Sequence, residues 1–148
     1  MQYFPKKKLV LPEGFYLNSS QIPLAKEVNN LLANCGCDTF PIKLLSEAIQ
    51  KSNFFFTIQN ELRNKLYGFV RVTSDRGLNV NLWNLSAVKG RNQELFYSIL
   101  LKVTLEKINI EMPGCSISVQ APDSSFKSLE EIGFILDPNG IRGMSYKL

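Results

Sequence analysis

Histidine is absent from all 148 residues. That removes the commonest general base, every Ser–His or Cys–His nucleophile pair and most transition-metal sites. Cysteine is scarce: Cys35 and Cys37 flank one glycine and Cys115 stands alone. Three such residues fit neither a paired disulfide framework nor a zinc site built from two separated pairs, so a reducing, cytoplasmic location is expected and no metal. No apolar run reaches the roughly 18 residues of a membrane span. The start, Met1-Gln2-Tyr3-Phe4-Pro5-Lys6, has no apolar signal core, and no membrane partner is expected. A dominant charge of one sign is also missing. The net charge of +4 owes much to Lys6-Lys7-Lys8, while beyond them Lys and Arg alternate with Asp and Glu. Residues 1–12 therefore read as a flexible basic N-terminal arm, and nucleic acid is not an expected partner. Glycine, finally, is missing from Arg91-Asn92-Gln93-Glu94-Leu95-Phe96-Tyr97, where a strand feeds a helix N-terminus and many folds hold a phosphate.

What is present, 45% hydrophobic and 20% charged residues, describes one ordinary globular domain spanning 1–148. A chain of this size buries roughly 68–70% of its unfolded surface, enough to be stable without metals or disulfides.

The periodicity alternates between helix and strand. Gly14-Phe15-Tyr16-Leu17 reads as a strand, and Asn18-Ser19-Ser20-Gln21 as a turn or cap. A first helix follows with Pro23 in its opening turn and Ile22, Ala25, Val28, Leu31 and Leu32 as its stripe. Pro41 opens a second helix that buries Leu44, Leu45, Ala48 and Ile49. Asn53–Gln59, Leu66–Thr73 and Asn81–Val88 are β-branched and aromatic enough for three antiparallel strands. Trp83, Leu85 and Ala87 are expected on one face of the last, with Leu82, Asn84 and Ser86 on the other. Leu95, Phe96, Ile99, Leu100, Val103 and Ile108 mark a long helix stopped at Pro113-Gly114, with Asn92 a good N-cap. Cys115–Ala121 alternates as a strand. Asp123 N-caps a short helix burying Phe126, Leu129 and Ile132 and ended by Gly133. Phe134–Leu136 and a strand through Met144, Tyr146 and Leu148 flank an Asp137-Pro138-Asn139-Gly140 turn. The order β-α-α-β-β-β-α-β-α-β-β predicts an α/β (α+β) mixed sheet covered on both faces, its crossover from Asn81 to Ala121 joining parallel strands.

Several local words carry a resemblance. Gly68-x-x-Arg71-x-Thr73-Ser74-Asp75, Asn79, Leu82-Trp83 and Gly133-Phe134-x-x-Asp137-Pro138-x-Gly140-Ile141-x-Gly143-Met144 resemble the GNAT acetyl-CoA-dependent N-acetyltransferases of cyanobacteria and plastids. The likeness covers roughly the last two-thirds of the chain. It implies the GNAT acyltransferase fold, an amine acceptor, frequent homodimers, and a cytoplasmic or plastid-stroma-like location. It also implies acetyl-CoA between the strand ending near Val88 and the one starting at Cys115. The pantetheine arm would run along the backbone of Leu85, Ser86 and Ala87, and the pyrophosphate would sit on Asn92, Gln93, Glu94, Leu95, Phe96 and Tyr97. The family's (Arg/Gln)-x-x-Gly-x-(Gly/Ala) loop aligns with Asn92, Leu95 and Tyr97, so both small residues are replaced. The family's proton-donating tyrosine aligns with Leu129, and its acidic residue after the strand tryptophan with Asn84. Neither replacement titrates.

The resemblance thus implies an acetyltransferase-like protein with acetyl-CoA binding and catalysis weakened or lost. Two rivals are an active N-acetyltransferase with a remodelled loop, in which Lys89 and Arg91 hold the phosphates, and a non-catalytic binder of another ligand. Tyr97 reads either as a substitute acid or as packing that plugs the site, and Tyr146 is a weaker candidate acid. Trp83, between Leu82 and Leu85, reads as core in preference to the wall of an acyl or pantetheine channel. Phe54-Phe55-Phe56 reads as the alternating faces of a buried strand, and Cys35-Gly36-Cys37 as a helix C-terminus. Arg71-x-Thr73-Ser74-Asp75 fits a functional strand and a self-capped turn equally.

Overall fold

A computed structural model describes residues 9–63 and 65–147. Of the expected basic arm, Lys6-Lys7-Lys8 lie outside these residues, as does Leu148 of the expected last strand, while Leu11 packs against the core. The elements are β1 (Phe15–Asn18), α1 (Ala25–Asn34), α2 (Ile42–Lys51), β2 (Phe54–Asn60), β3 (Leu66–Ser74), β4 (Asn79–Ala87), α3 (Gln93–Glu111), β5 (Ser116–Val119) and α4 (Phe126–Glu131). A 3₁₀ turn at Asp123–Ser125 leads into α4, and another covers Pro138–Gly140.

The five strands form one sheet in sequence order, antiparallel except for the β4–β5 pair, which is parallel as the crossover requires. Each face is covered. On one, Val28, Leu31, Leu32, Leu45 and Ile49 of α1 and α2 pack with Phe55 and Phe69. On the other, Phe96, Leu100, Leu101 and Ile108 of α3 pack with Phe54, Ile58, Val70 and Val72. The three phenylalanines at 54–56 thus divide between the two faces as alternation demands.

Turn chemistry holds the elements in place. Asp75 Oδ1 accepts from the backbone N–H groups of Gly77, Leu78 and Asn79 at 2.9–3.0 Å, which keeps its carboxyl below the usual range. After α1 the N–H of Cys37 reaches Leu32 O at 2.9 Å and that of Gly36 reaches Ala33 O at 3.1 Å, with Gly36 at φ +73°. This is a Schellman ending, the helix-terminus reading of Cys35-Gly36-Cys37.

Four expectations are corrected. The helix anticipated around Pro23 starts at Ala25, Leu24 being extended and Ile22 exposed. On α2 Leu44 faces solvent, leaving Leu45 and Ile49 as the buried pair. Asn92 makes no side-chain cap, and its φ/ψ of −96°/1° lies outside the extended region an N-cap needs. The strands anticipated at Phe134–Leu136 and through Met144 and Tyr146 do not form among the described residues: Ile135, Leu136, Met144 and Tyr146 are exposed, and β5 is an edge strand.

Candidate functional site

The site is built by a break in the alternation of β4. Phe69 pairs with Ser86 but Arg71 pairs with Trp83, so Asn84 and Leu85 stand opposite Val70 alone. Asn84 takes the left-handed conformation, φ +55°, that such a bulge needs. The bulge resets which side faces the α3 core. Val80 and Leu82 point there before it, Leu85 and Ala87 after it. The expected alternation that grouped Trp83 with Leu85 and Ala87 is therefore overturned. Trp83 leaves the core and stands half-buried on the opposite face, its Nε1 donating to Thr73 Oγ1 at 2.7 Å.

The pairing of β4 with β5 ends at Leu82 opposite Val119. Beyond it β4 continues to Ala87 with no β5 partner, while the other chain departs through Gln120 to Pro122. A cavity of about 550 Å³ lies between Trp83, Asn84 and Leu85 on one side and Gln120 to Pro122 on the other, with Asp38 and Phe40 from the α1–α2 connection at its edge. That volume suits a small ligand.

Two groups define its chemistry. Arg71, from β3, donates through Nε to Asn84 Oδ1 at 2.7 Å, and its guanidinium lies 5.7 Å from the centre of the Trp83 ring. Burial lowers its pKa, and among the described residues no carboxylate pairs with it. Tyr97, from α3, is fully buried. Its hydroxyl is hydrogen-bonded to Ser124 Oγ at 2.8 Å and lies close to the Ala87 carbonyl and the Cys35 thiol. Ala87 ends β4 and Ser124 follows β5, so the tyrosine fills the gap between the two diverging strands. Burial above all pushes its pKa up to about 12, and burial likewise raises the Cys35 thiol.

The remaining expected site residues surround this plug. The Ala87 carbonyl accepts from Gln93 Nε2 and from Cys35 Sγ, both at 2.9 Å, and Ser86 Oγ donates to the Asn84 carbonyl at 3.0 Å. Glu94 sits exposed in the first turn of α3 and pairs with Lys127 of α4 at 2.9 Å. Leu95 is half-buried, and Phe96 packs into the aromatic cluster of Phe15 and Tyr67. Leu129 is buried beside a different cavity, of about 410 Å³, between β5, α4 and the C-terminal segment. Tyr146 is exposed and stands outside both cavities. Arg71 and Trp83 turn towards the site, whereas Ser74 and Asp75 of the same motif close the β3–β4 turn, Ser74 Oγ donating to the Asn79 carbonyl at 2.7 Å.

At the positions expected to hold acetyl-CoA, the Ala87 carbonyl of β4 already accepts two hydrogen bonds and the buried Tyr97 lies beside it. The Glu94 carboxylate stands in the first turn of α3, which follows a turn at Gly90. Cys35, Asp38, Phe40 and Ser124 were not foreseeable as site residues, because the fold brings them in from distant parts of the chain. One signal did exist for the bulge: asparagine is the side chain that most readily accepts a positive φ within a strand.

No family model matches the sequence. It is 27% identical over 139 residues to the uncharacterized N-acetyltransferase ycf52 of Porphyra purpurea, covering 93% of this chain and 79% of that protein. It is 24% identical to the ycf52 N-acetyltransferase of Pyropia yezoensis, covering 89% and 76%. Among solved structures, a Staphylococcus aureus protein described as a probable acetyltransferase superposes with a TM-score of 0.79 at 18% identity, over 90% of this chain and 99% of that one. A GNAT-family acetyltransferase of Streptococcus pneumoniae gives 0.66 at 13% identity, over 90% and 98%. A Clostridium acetobutylicum protein described as a predicted acetyltransferase, solved with acetyl-CoA, gives 0.64 at 10%, over 82% and 90%. The chain has the GNAT acetyltransferase fold, and in sequence it resembles the ycf52 N-acetyltransferases.

Proposed function

We propose that this is an acetyltransferase-like protein, related to acetyl-CoA-dependent amine N-acetyltransferases, in which acetyl-CoA binding and catalysis are weakened or lost. The observation that carries the reading is Tyr97, buried between Ala87 and Ser124 where the family's pantetheine arm would pass. Leu129 and Asn84 support it, since neither supplies the proton or the carboxylate that the family positions there. General acid–base assistance is worth typically 10²- to 10⁴-fold, so its loss together with an obstructed cofactor path leaves little catalysis. The three free cysteines support a reducing compartment, cytoplasmic or plastid-stroma-like.

The test is the melting temperature with and without millimolar acetyl-CoA and CoA. A ligand at 100 times its dissociation constant stabilises by about 2.7 kcal/mol, a shift of several degrees. No shift is expected. A clear shift together with thioester turnover on a panel of amines would overturn the reading in favour of an active enzyme whose phosphates rest on Lys89 and Arg91.

A further inference from the structure

The cavity at the bulge is lined by neither Tyr97 nor Ser124, and its electrostatics are unbalanced. Arg71 reaches it from β3 carrying a full charge, and its one side-chain hydrogen bond among the described residues is to Asn84, a neutral amide. An aspartate at 84 would have neutralised it; asparagine orients the guanidinium through Nε and leaves its terminal N–H groups without a carboxylate. A half-buried, unpaired guanidinium stacked on an indole is costly in an idle surface and is the geometry that receives a planar anion through parallel N–H bonds. Trp83 and Phe40 give it an apolar wall, and Gln120 a neutral polar one.

We propose that this cavity binds a small organic monocarboxylate with an apolar body, its carboxylate on Arg71 and its hydrocarbon part against Trp83 and Phe40. Two features narrow the class. Arg71 is the only cation among the lining residues, and Asp38 lies at the same edge, so a dianion such as a phosphate monoester meets repulsion without a second positive partner. A volume of about 550 Å³ admits a body of aromatic size. The inference adds a ligand class to the proposed reading without resting on acetyl-CoA, because neither Tyr97 nor Ser124 is among the groups it uses.

Calorimetric titration with phenylacetate, phenylacetamide and phenethylamine, in the absence of CoA, tests it. Phenylacetate is expected to bind saturably and at least about tenfold more tightly than its neutral and cationic counterparts, the increment of one charge-assisted hydrogen-bonded pair. Arg71→Gln should abolish that preference. Asn84→Asp should do the same by supplying the missing carboxylate, and because it is isosteric and aspartate tolerates a positive φ it covers the case in which Arg71→Gln fails to fold. Equal affinity for phenylacetate and phenylacetamide, an Asn84→Asp variant that keeps the preference, or no saturable binding of phenylacetate overturns the proposal. A CoA-induced melting shift with thioester turnover would overturn the proposed function and leave this result untouched.

Discussion

Tyr97 resists ionisation mainly because it is buried, against a smaller opposing pull from its hydrogen bond to Ser124. Burial removes the water that would solvate a phenolate, and the Cys35 and Cys37 thiols nearby add unfavourable charge as they too deprotonate. The folded pKa of about 12 exceeds the ordinary value of 10.0, so above pH 10 the unfolded chain binds fewer protons than the folded one. Stability from this group is therefore complete below pH 10 and lost as pH rises from 10 towards 12, by at most about 3 kcal/mol. Tyrosinate absorbance should show one of the five tyrosines titrating late in the native protein, and Tyr97→Phe should remove that late step. The phenylalanine variant also loses the Ser124 hydrogen bond, at a cost of about 0.5–1.5 kcal/mol in urea unfolding at neutral pH. A late step that persists in the variant would place the perturbed hydroxyl elsewhere. A tyrosine this reluctant to ionise stays a proton donor at neutral pH, but its one strong partner is Ser124 and its ring is sealed, which favours plugging over acid catalysis.

At the scale of elements, the position of α3 depends on Gly68. A Cβ there would lie 3.0 Å from Leu100 Cδ1 and 3.1 Å from Ile58 Cδ1, so the absence of a side chain is what lets α3 sit close on β3. Gly68→Ala should overpack this contact. Overpacking costs about 1–3 kcal/mol, and the reduced backbone freedom of alanine returns about 0.5–1, leaving roughly 1–2 kcal/mol of destabilisation, read as a lower urea midpoint at unchanged m-value. A midpoint that stays put would mean that Leu100 swings aside freely. The same elements mark what can be read along the chain. The runs that became β2, β3, β4 and α3 carry unbroken local periodicity, and their type and order follow from it. The bulge interrupts a period of two by one residue, and from Leu82-Trp83-Asn84-Leu85 alone that is indistinguishable from continued alternation. It misplaced Trp83, and with it the pairing of Arg71 with Asn84 that defines the cavity. The C-terminal alternation of Met144 and Tyr146 describes what a strand would look like, but a strand also needs a partner edge, and β5 offers only Ser116–Val119. Pairing is non-local, so periodicity cannot supply it.

For the whole molecule the question is whether scaffold and site can vary separately. The two cores lie on opposite faces of the sheet, and most of their buried side chains come from α1, α2, α3 and β2 to β4 away from the gap. The fold therefore tolerates altered chemistry at the head of α3 as long as helix and sheet remain packed. Restoring small residues tests this directly. Leu95→Gly with Tyr97→Gly puts two glycines in a helix, about 1 kcal/mol each, and empties an aromatic site, about 3–5 kcal/mol. Against a total stability of 5–15 kcal/mol the double variant is marginal, and Tyr97→Ala serves as the milder control. Both should melt below the parent without ligand. If the side chains at 95 and 97 are what obstruct the cofactor path, millimolar CoA should raise the melting temperature of the double variant by several degrees while leaving the parent unmoved. An opened gap that still ignores CoA would trace the defect to the phosphate end instead, where Glu94 and Lys127 form their pair and residues 91–97 contain no glycine.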